Sequence, residues 1–229
     1  NTAYPGKRMK AEDHLVTIKA HGFCDIADVD IMDSEGSIEI PVNYQGHLQN
    51  RNIVGSHINN YDSMLVLSHF KGHKMGGFGG ALKNMSIGVA SSNGKAWIHS
   101  VGRTTSPLEL WNYTEDQDGF LESMAEADKA VVEHFGCDNM AYINVANKIS
   151  IDCDCDSNPS EPEMADIGIY ASLDPVALDK CCYDAIINSK DEGKASLIKR
   201  MEEKHAIHIV EIAEELGIGT TDYEIINID

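Results

Sequence analysis

Ser63-Met64-Leu65-Val66-Leu67-Ser68 runs directly into His69-Phe70-Lys71-Gly72-His73-Lys74-Met75-Gly76-Gly77-Phe78-Gly79-Gly80-Ala81-Leu82-Lys83-Asn84. The first segment is an apolar run of strand length and predicts a central strand buried on both faces. A glycine-rich loop follows, and Ala81 to Ala90 reads as the start of a helix. Strand, glycine loop, helix is the α/β unit in which ligands sit at the carboxyl ends of strands.

Charge singles out the same place. The chain carries a formal net charge of −19, yet residues 63–108 contain no Asp or Glu. They hold Lys71, Lys74, Lys83, Lys95 and Arg103, with His69, His73 and His99. A basic, histidine-bearing glycine loop in an acidic chain points to an anion, a metal, or both. The overall charge argues against nucleic acid and against anionic membranes, because both need a broad basic surface. No apolar run approaches the roughly 20 residues that span a bilayer, and Asn1 to Arg8 has no apolar signal-peptide core. The expected setting is cytoplasmic.

Outward from the loop, the helical spacing of Met9, Leu15 and Ile18 predicts a helix over 9–21 that ends at His21-Gly22. Ile26 to Met32 and Ser37 to Val42 read as strands, and Asn50 to Asn60 as a helix. Residues 119–135 form the clearest helix, with Phe120, Met124, Ala127, Val131 and Phe135 on one stripe. Ala141 to Val145 and Ile167 to Tyr170 read as strands around a polar connection, Asp152 to Asp166. Asp174-Pro175 supplies an N-cap and an N1 proline for a helix to about Asn188. Two short helices, near 194–204 and 207–216, precede a last strand at Tyr223 to Ile228. The expectation is a single α/β domain over 1–229, with a central mostly parallel sheet and helices on both faces.

For the loop, three chemical readings compete with plain solvated surface. A nucleotide phosphate loop fails, because no Gly-Lys-Ser/Thr ending follows and the dinucleotide spacing meets Leu82 at its sixth position. A general anion site fits better: the backbone at Gly77, Gly79 and Gly80, the side chains Lys71, Lys83 and Asn84, and the N-terminus of the following helix would form the cradle. A metal held by His69 and His73 is the third reading, and it needs further ligands from elsewhere.

His99 or the Cys153/Cys155 pair of Cys153-Asp154-Cys155 can provide them. Thiolates are soft ligands for zinc, iron or nickel, and Asp152, Asp156, Glu161 and Glu163 crowd the turn with negative charge. That crowding raises a thiol pKa unless a cation is near, so the pair reads as a cation site rather than a nucleophile. Neighbouring cysteines of this kind are poor disulfide partners for each other. Cys181 and Cys182, beside Leu178 and Ile186, read as buried small hydrophobes. No serine-nucleophile elbow, His-Glu-x-x-His or EF-hand loop occurs.

Several stretches together resemble the uncharacterised domain of unknown function 362 family, whose members are often labelled iron–sulfur centre proteins. These are Asn1 to Arg8 with His14, the Ser68–Asn84 loop, Lys95 with His99-Ser100, Cys153-Asp154-Cys155, Asp166-Ile167-Gly168, and Ser172-Leu173-Asp174-Pro175-Val176-Ala177-Leu178-Asp179. The resemblance implies that loop, turn and helix start belong to one design, but it supplies no reaction. Members commonly carry a ferredoxin-type cysteine module after the segment matching His99-Ser100. Val101 to Asn112 has no cysteine, so no ferredoxin-type cluster is expected within this chain. The family also usually has chain before the segment matching Asn1, so an N-terminal segment is expected to be missing. The lead expectation is one metal held by His69, His73, Cys153 and Cys155, beside an anion cradle. The alternative is a non-enzymatic module that docks a ferredoxin-like redox partner.

Overall fold

The computed structural model of the chain describes residues 1–156 and 158–228. Its helices are α1 (Ala11–Ala20), α2 (Ala81–Val89), α3 (Ser92–His99), α4 (Gln117–Phe135), α5 (Pro175–Asn188), α6 (Ala195–Glu203) and α7 (His208–Glu215). Its strands are β1 (Ser37–Pro41), β2 (Arg51–Gly55), β3 (Met64–His69), β4 (Lys71–His73), β5 (Gly77–Gly79), β6 (Met140–Ala146) and β7 (Gly168–Ser172). The chain forms two compact units, one of Asn1–Asp62 with Ser86–His134 and one of Ser63–Met85 with Phe135–Asp229.

The strands form three small sheets: β1-β2, β3-β6-β7 and β4-β5. Among the described residues there is therefore no large central parallel sheet with helices on both faces, and that expectation is corrected. Only β3 and β6 run parallel, while β7 pairs antiparallel with β6. Several predicted strands do not form ladders. Ile26–Met32 stays irregular, and Tyr223–Ile228 is exposed without strand structure, with Ile226 and Ile228 78% and 92% accessible. In the opposite direction, the predicted helix at Asn50–Asn60 is β2 followed by a 3₁₀ turn at Ser56–Asn60. The β-branched Ile53 and Val54 fit a pleated ladder better than a helix, and β1 supplies that ladder through Ile38↔Val54 and Glu39↔Ile53.

In the first unit, α3 lies so close to β2 that a Cβ on Gly94 would meet the Ile53 carbonyl oxygen at 1.7 Å. Trp97, Leu48, Leu121 and Met124 are buried here. The carboxylate of Glu126, on α4, accepts the N–H groups of His47 and Leu48, each at 2.8 Å. That bond network holds an irregular loop to the helix without a strand.

The second unit carries the candidate site. β3 is buried on one face only: Val66 and Ser68 are 5% and 3% exposed, but Leu65 and Leu67 are 58% and 60% exposed. The predicted two-sided burial is therefore also corrected. The segment predicted as a glycine loop forms the hairpin β4-β5, with Gly72 opposite Phe78, and Phe70 and Phe78 stack in the core with centroids 5.2 Å apart. Helix α5 begins as its sequence predicts. Asp174 accepts the N–H groups of Val176 and Ala177, and Pro175 takes the first position, where no N–H is needed.

Candidate metal centre

The hairpin meets the Cys153-Asp154-Cys155 turn because glycine lets the backbones touch. The Gly72 N–H donates to Ser150 O at 2.8 Å, and a Cβ on Gly72 would lie 2.1 Å from the Ile151 carbonyl oxygen. Ser150 Oγ then accepts the Asp152 N–H, which curls the chain toward the cysteines. The outcome is a ring nitrogen of His73 and the Sγ atoms of Cys153 and Cys155 lying within 4.8 Å of one another. His73 and Cys153 are 7% and 6% exposed, and Cys155 is half-buried. These three are a group able to hold a metal ion, drawn from two segments far apart in sequence.

His69, the fourth expected ligand, stands outside this cluster. Its Nε2 donates to Asn147 O at 2.8 Å, and its Nδ1 lies 3.0 Å from both carboxylate oxygens of Asp154. Both ring nitrogens therefore already have oxygen partners outside the cluster. The Asp154 bond raises the His69 pKa above its ordinary value, and the same bond holds Asp154 down to about 2. His69 therefore tethers the cysteine turn to the end of β3.

The structure also brings the lysines here. Lys71 Nζ donates to His69 O at 2.7 Å and lies 3.3 Å from Asp154. Lys71 and Lys83 both approach the open side of Gly79, whose Cβ position is 3.6 Å from Lys83 Cδ and 3.9 Å from Lys71 Nζ. Their charges reach Cys153. A hydrogen bond from the Cys155 side chain, followed by Lys83 and Lys71, brings the Cys153 thiol down to about 5 against the opposing effect of burial. The acids near the turn, expected to raise it, are answered elsewhere: Asp156 by Lys74, Asp152 by Ser160 and Arg200, Asp154 by His69.

The glycine backbone has a different occupant from a free anion. The Asp179 carboxylate accepts the N–H groups of Ala81 and Leu82 at 2.8 and 3.0 Å, so the first turn of α2 already faces a negative charge. A Cβ on Gly80 would lie 2.3 Å from Asp179 Oδ1, so glycine there makes room for this carboxylate. Asn144 Nδ2 adds a third donor at 2.7 Å, yet burial still pushes Asp179 up to about 6. Gly77, at the far end of the hairpin, packs against Ala206, and Asn84 Nδ2 donates to Leu67 O and Ser68 Oγ. Of the predicted cradle, Lys71, Lys83 and Gly79 share one neighbourhood; Gly77, Gly80 and Asn84 have these other neighbours.

Asp179 and Asp154 fall in the stretches singled out from the sequence, but sequence reasoning gave neither a role. For Asp179 a signal existed: it falls three residues after Val176 and three before Cys182, on the buried stripe of α5.

The sequence profile described as Domain of unknown function (DUF362) matches residues 2–184. The chain belongs to that DUF362 family. The match takes in the hairpin, the cysteine turn and most of α5, so every element of the candidate centre lies in the family's own segment. No curated protein and no solved structure matches the chain. Among the described residues, no helix is long and apolar enough to cross a membrane.

Proposed function

We propose that His73, Cys153 and Cys155 bind one zinc, iron or nickel ion, and that Lys71 and Lys83 draw a small anionic ligand to its open side. The observation that carries the reading is the convergence of two thiols and one imidazole beside two lysines. Three protein ligands leave a fourth position for a water or a ligand, the pattern of a reactive rather than a structural site. Cys153, held down to about 5, would offer the thiolate that a metal needs at neutral pH. A bound ion would supply Lewis acidity, and the lysines would orient the ligand's negative charge.

His73 carries the cost of this arrangement. Its Nδ1 accepts the N–H groups of Gly76 at 2.9 Å and Met75 at 3.3 Å, which puts the proton of the neutral ring on Nε2. Metal capture at this ring therefore either opens the Met75–Gly76 turn or releases the Nε2 proton. Affinity should climb with pH for that reason.

Cobalt substitution tests both halves. Cobalt bound by thiolates is expected to give an intense near-ultraviolet absorption that disappears in Cys153→Ser/Cys155→Ser. Phosphate or acetate should perturb the visible cobalt bands of the wild type and not those of Lys83→Met. Bands indifferent to every anion would remove the anion half and leave the metal half standing.

A second reading rests on Cys153 alone. A low-pKa thiol with an imidazole nitrogen within 4.8 Å is also the setting of a nucleophilic cysteine. Rapid alkylation of Cys153 at pH 6 in metal-free protein, with no stoichiometric metal as isolated, would favour that chemistry over metal binding.

A further inference from the structure

The junction between α6 and α7 carries a second cluster, built from residues that neither the hairpin nor the cysteine turn uses. His205, His208 and Glu211 each place one ligand atom within 4.8 Å of the others. The two imidazole rings stack with centroids 4.9 Å apart at 9°, and His208 Nδ1 lies 3.7 Å from Glu211 Oε2. That last contact is an i,i+3 ion pair when His208 is protonated. Donors each about 2.1 Å from zinc can lie up to about 4.2 Å apart, so one ion could replace that proton once a ring turns out of the stack to aim its in-plane lone pair.

Backbone bonds fix the turn that carries the two histidines. His205 N–H donates to Glu202 O at 3.0 Å, Ala206 N–H to Met201 O at 2.8 Å, and His208 N–H to His205 O at 3.0 Å. His205 sits in the left-handed region at φ +50°, a conformation that disfavours a side chain with a Cβ. Its neighbour Ala206 is buried at 1% exposure against the hairpin, where a Cβ on Gly77 would come within 2.4 Å of the Ala206 side chain. So the turn is clamped from below while His205 and Glu211 remain open to solvent.

We infer that His205, His208 and Glu211 form a second, solvent-accessible site for a late first-row divalent cation such as zinc, which clips the α6–α7 turn. Two imidazoles and one carboxylate suit such ions and disfavour magnesium or calcium, which prefer all-oxygen shells. The inference does not depend on the cysteine centre, because no residue is shared.

The experiment is zinc titration by calorimetry of the full chain carrying Cys153→Ser/Cys155→Ser, under reducing conditions. One equivalent is expected to bind. Adding His205→Ala should weaken it at least tenfold, and His205→Ala/His208→Ala should abolish it while circular dichroism stays unchanged. Zinc bound equally well by the double histidine variant is adventitious and overturns the proposal, as does no binding at all. If the cysteine variant fails to fold, cobalt equivalents are counted in otherwise unmodified protein. His205→Ala should then remove one equivalent and spare the thiolate-to-cobalt absorption; an unchanged count overturns the proposal.

Discussion

At the scale of single residues, three glycines in and just after one hairpin make separable predictions. Gly72 and Gly80 are held by close approach, to the Ile151 backbone and to the Asp179 carboxylate. Alanine at either must displace main chain or a buried ion, so Gly72→Ala and Gly80→Ala should each cost about 3 kcal/mol or more in urea unfolding. Gly79 meets only ordinary contacts at 3.6–3.9 Å, so Gly79→Ala should fall within about 1 kcal/mol of wild type. Equal penalties at all three would contradict the packing account. His69 and His73 separate in the same way. His73→Ala should lose the metal, whereas His69→Gln, which keeps a donor for Asp154, should retain its stoichiometry. That the glycines, histidines and cysteines belong together was legible from residue type and charge. Which histidine lies beside the cysteines was not, because that depends on where Asp154 and Asn147 engage His69, and sequence spacing carries no such distance.

At the scale of elements, Asp179 joins α5 to the first turn of α2 and to Asn144 on β6. Its pKa stands at about 6, above the ordinary 3.8. Between those values the folded protein keeps a proton that the unfolded chain releases. Stability from this group is thus full below about pH 4 and declines as pH rises to about 6, by at most about 1.4 kcal/mol per pH unit. Denaturant midpoints measured from pH 4 to 7 should show this decline in the wild type, and the Asp179→Asn variant should lack that component. A variant profile parallel to the wild type would show that Asp179 is ionised throughout. The helices were legible because capping and apolar spacing are local: Asp174-Pro175 starts α5, and the Phe120–Phe135 stripe marks α4. The sheets were less so. Ile53-Val54 found a partner in β1 and became a strand, while Ile225, Ile226 and Ile228 pair with no strand among the described residues. Pairing is a long-range property that a β-rich hexapeptide does not reveal.

At the scale of the whole molecule, the acidic composition and the acid-free stretch 63–108 oppose each other. Lys71 and Lys83 would attract an anion against the field of a −19 chain. That field repels anions and is screened over about 10 Å at 0.1 M salt. Anion affinity at the site should therefore change little, or even rise, from 20 to 200 mM of a non-binding salt, whereas a broad basic surface would lose affinity steeply. Isothermal titration with phosphate at several ionic strengths reads the sign directly. The exposed apolar face of β3-β6-β7, with Leu65, Leu67 and Ile169 at 58%, 60% and 72%, was invisible to sequence reading. A continuous apolar run looks the same whether one face is covered or two.

The central claim is that His73, Cys153 and Cys155 hold a metal. Its most direct measurement is elemental mass spectrometry of protein purified anaerobically, without a histidine tag or added metal, beside the Cys153→Ser/Cys155→Ser variant. Near-stoichiometric zinc, iron or nickel in the wild type, lost in the variant, is the predicted result. Metal-free wild type, or a metal content that the double substitution leaves unchanged, would contradict it.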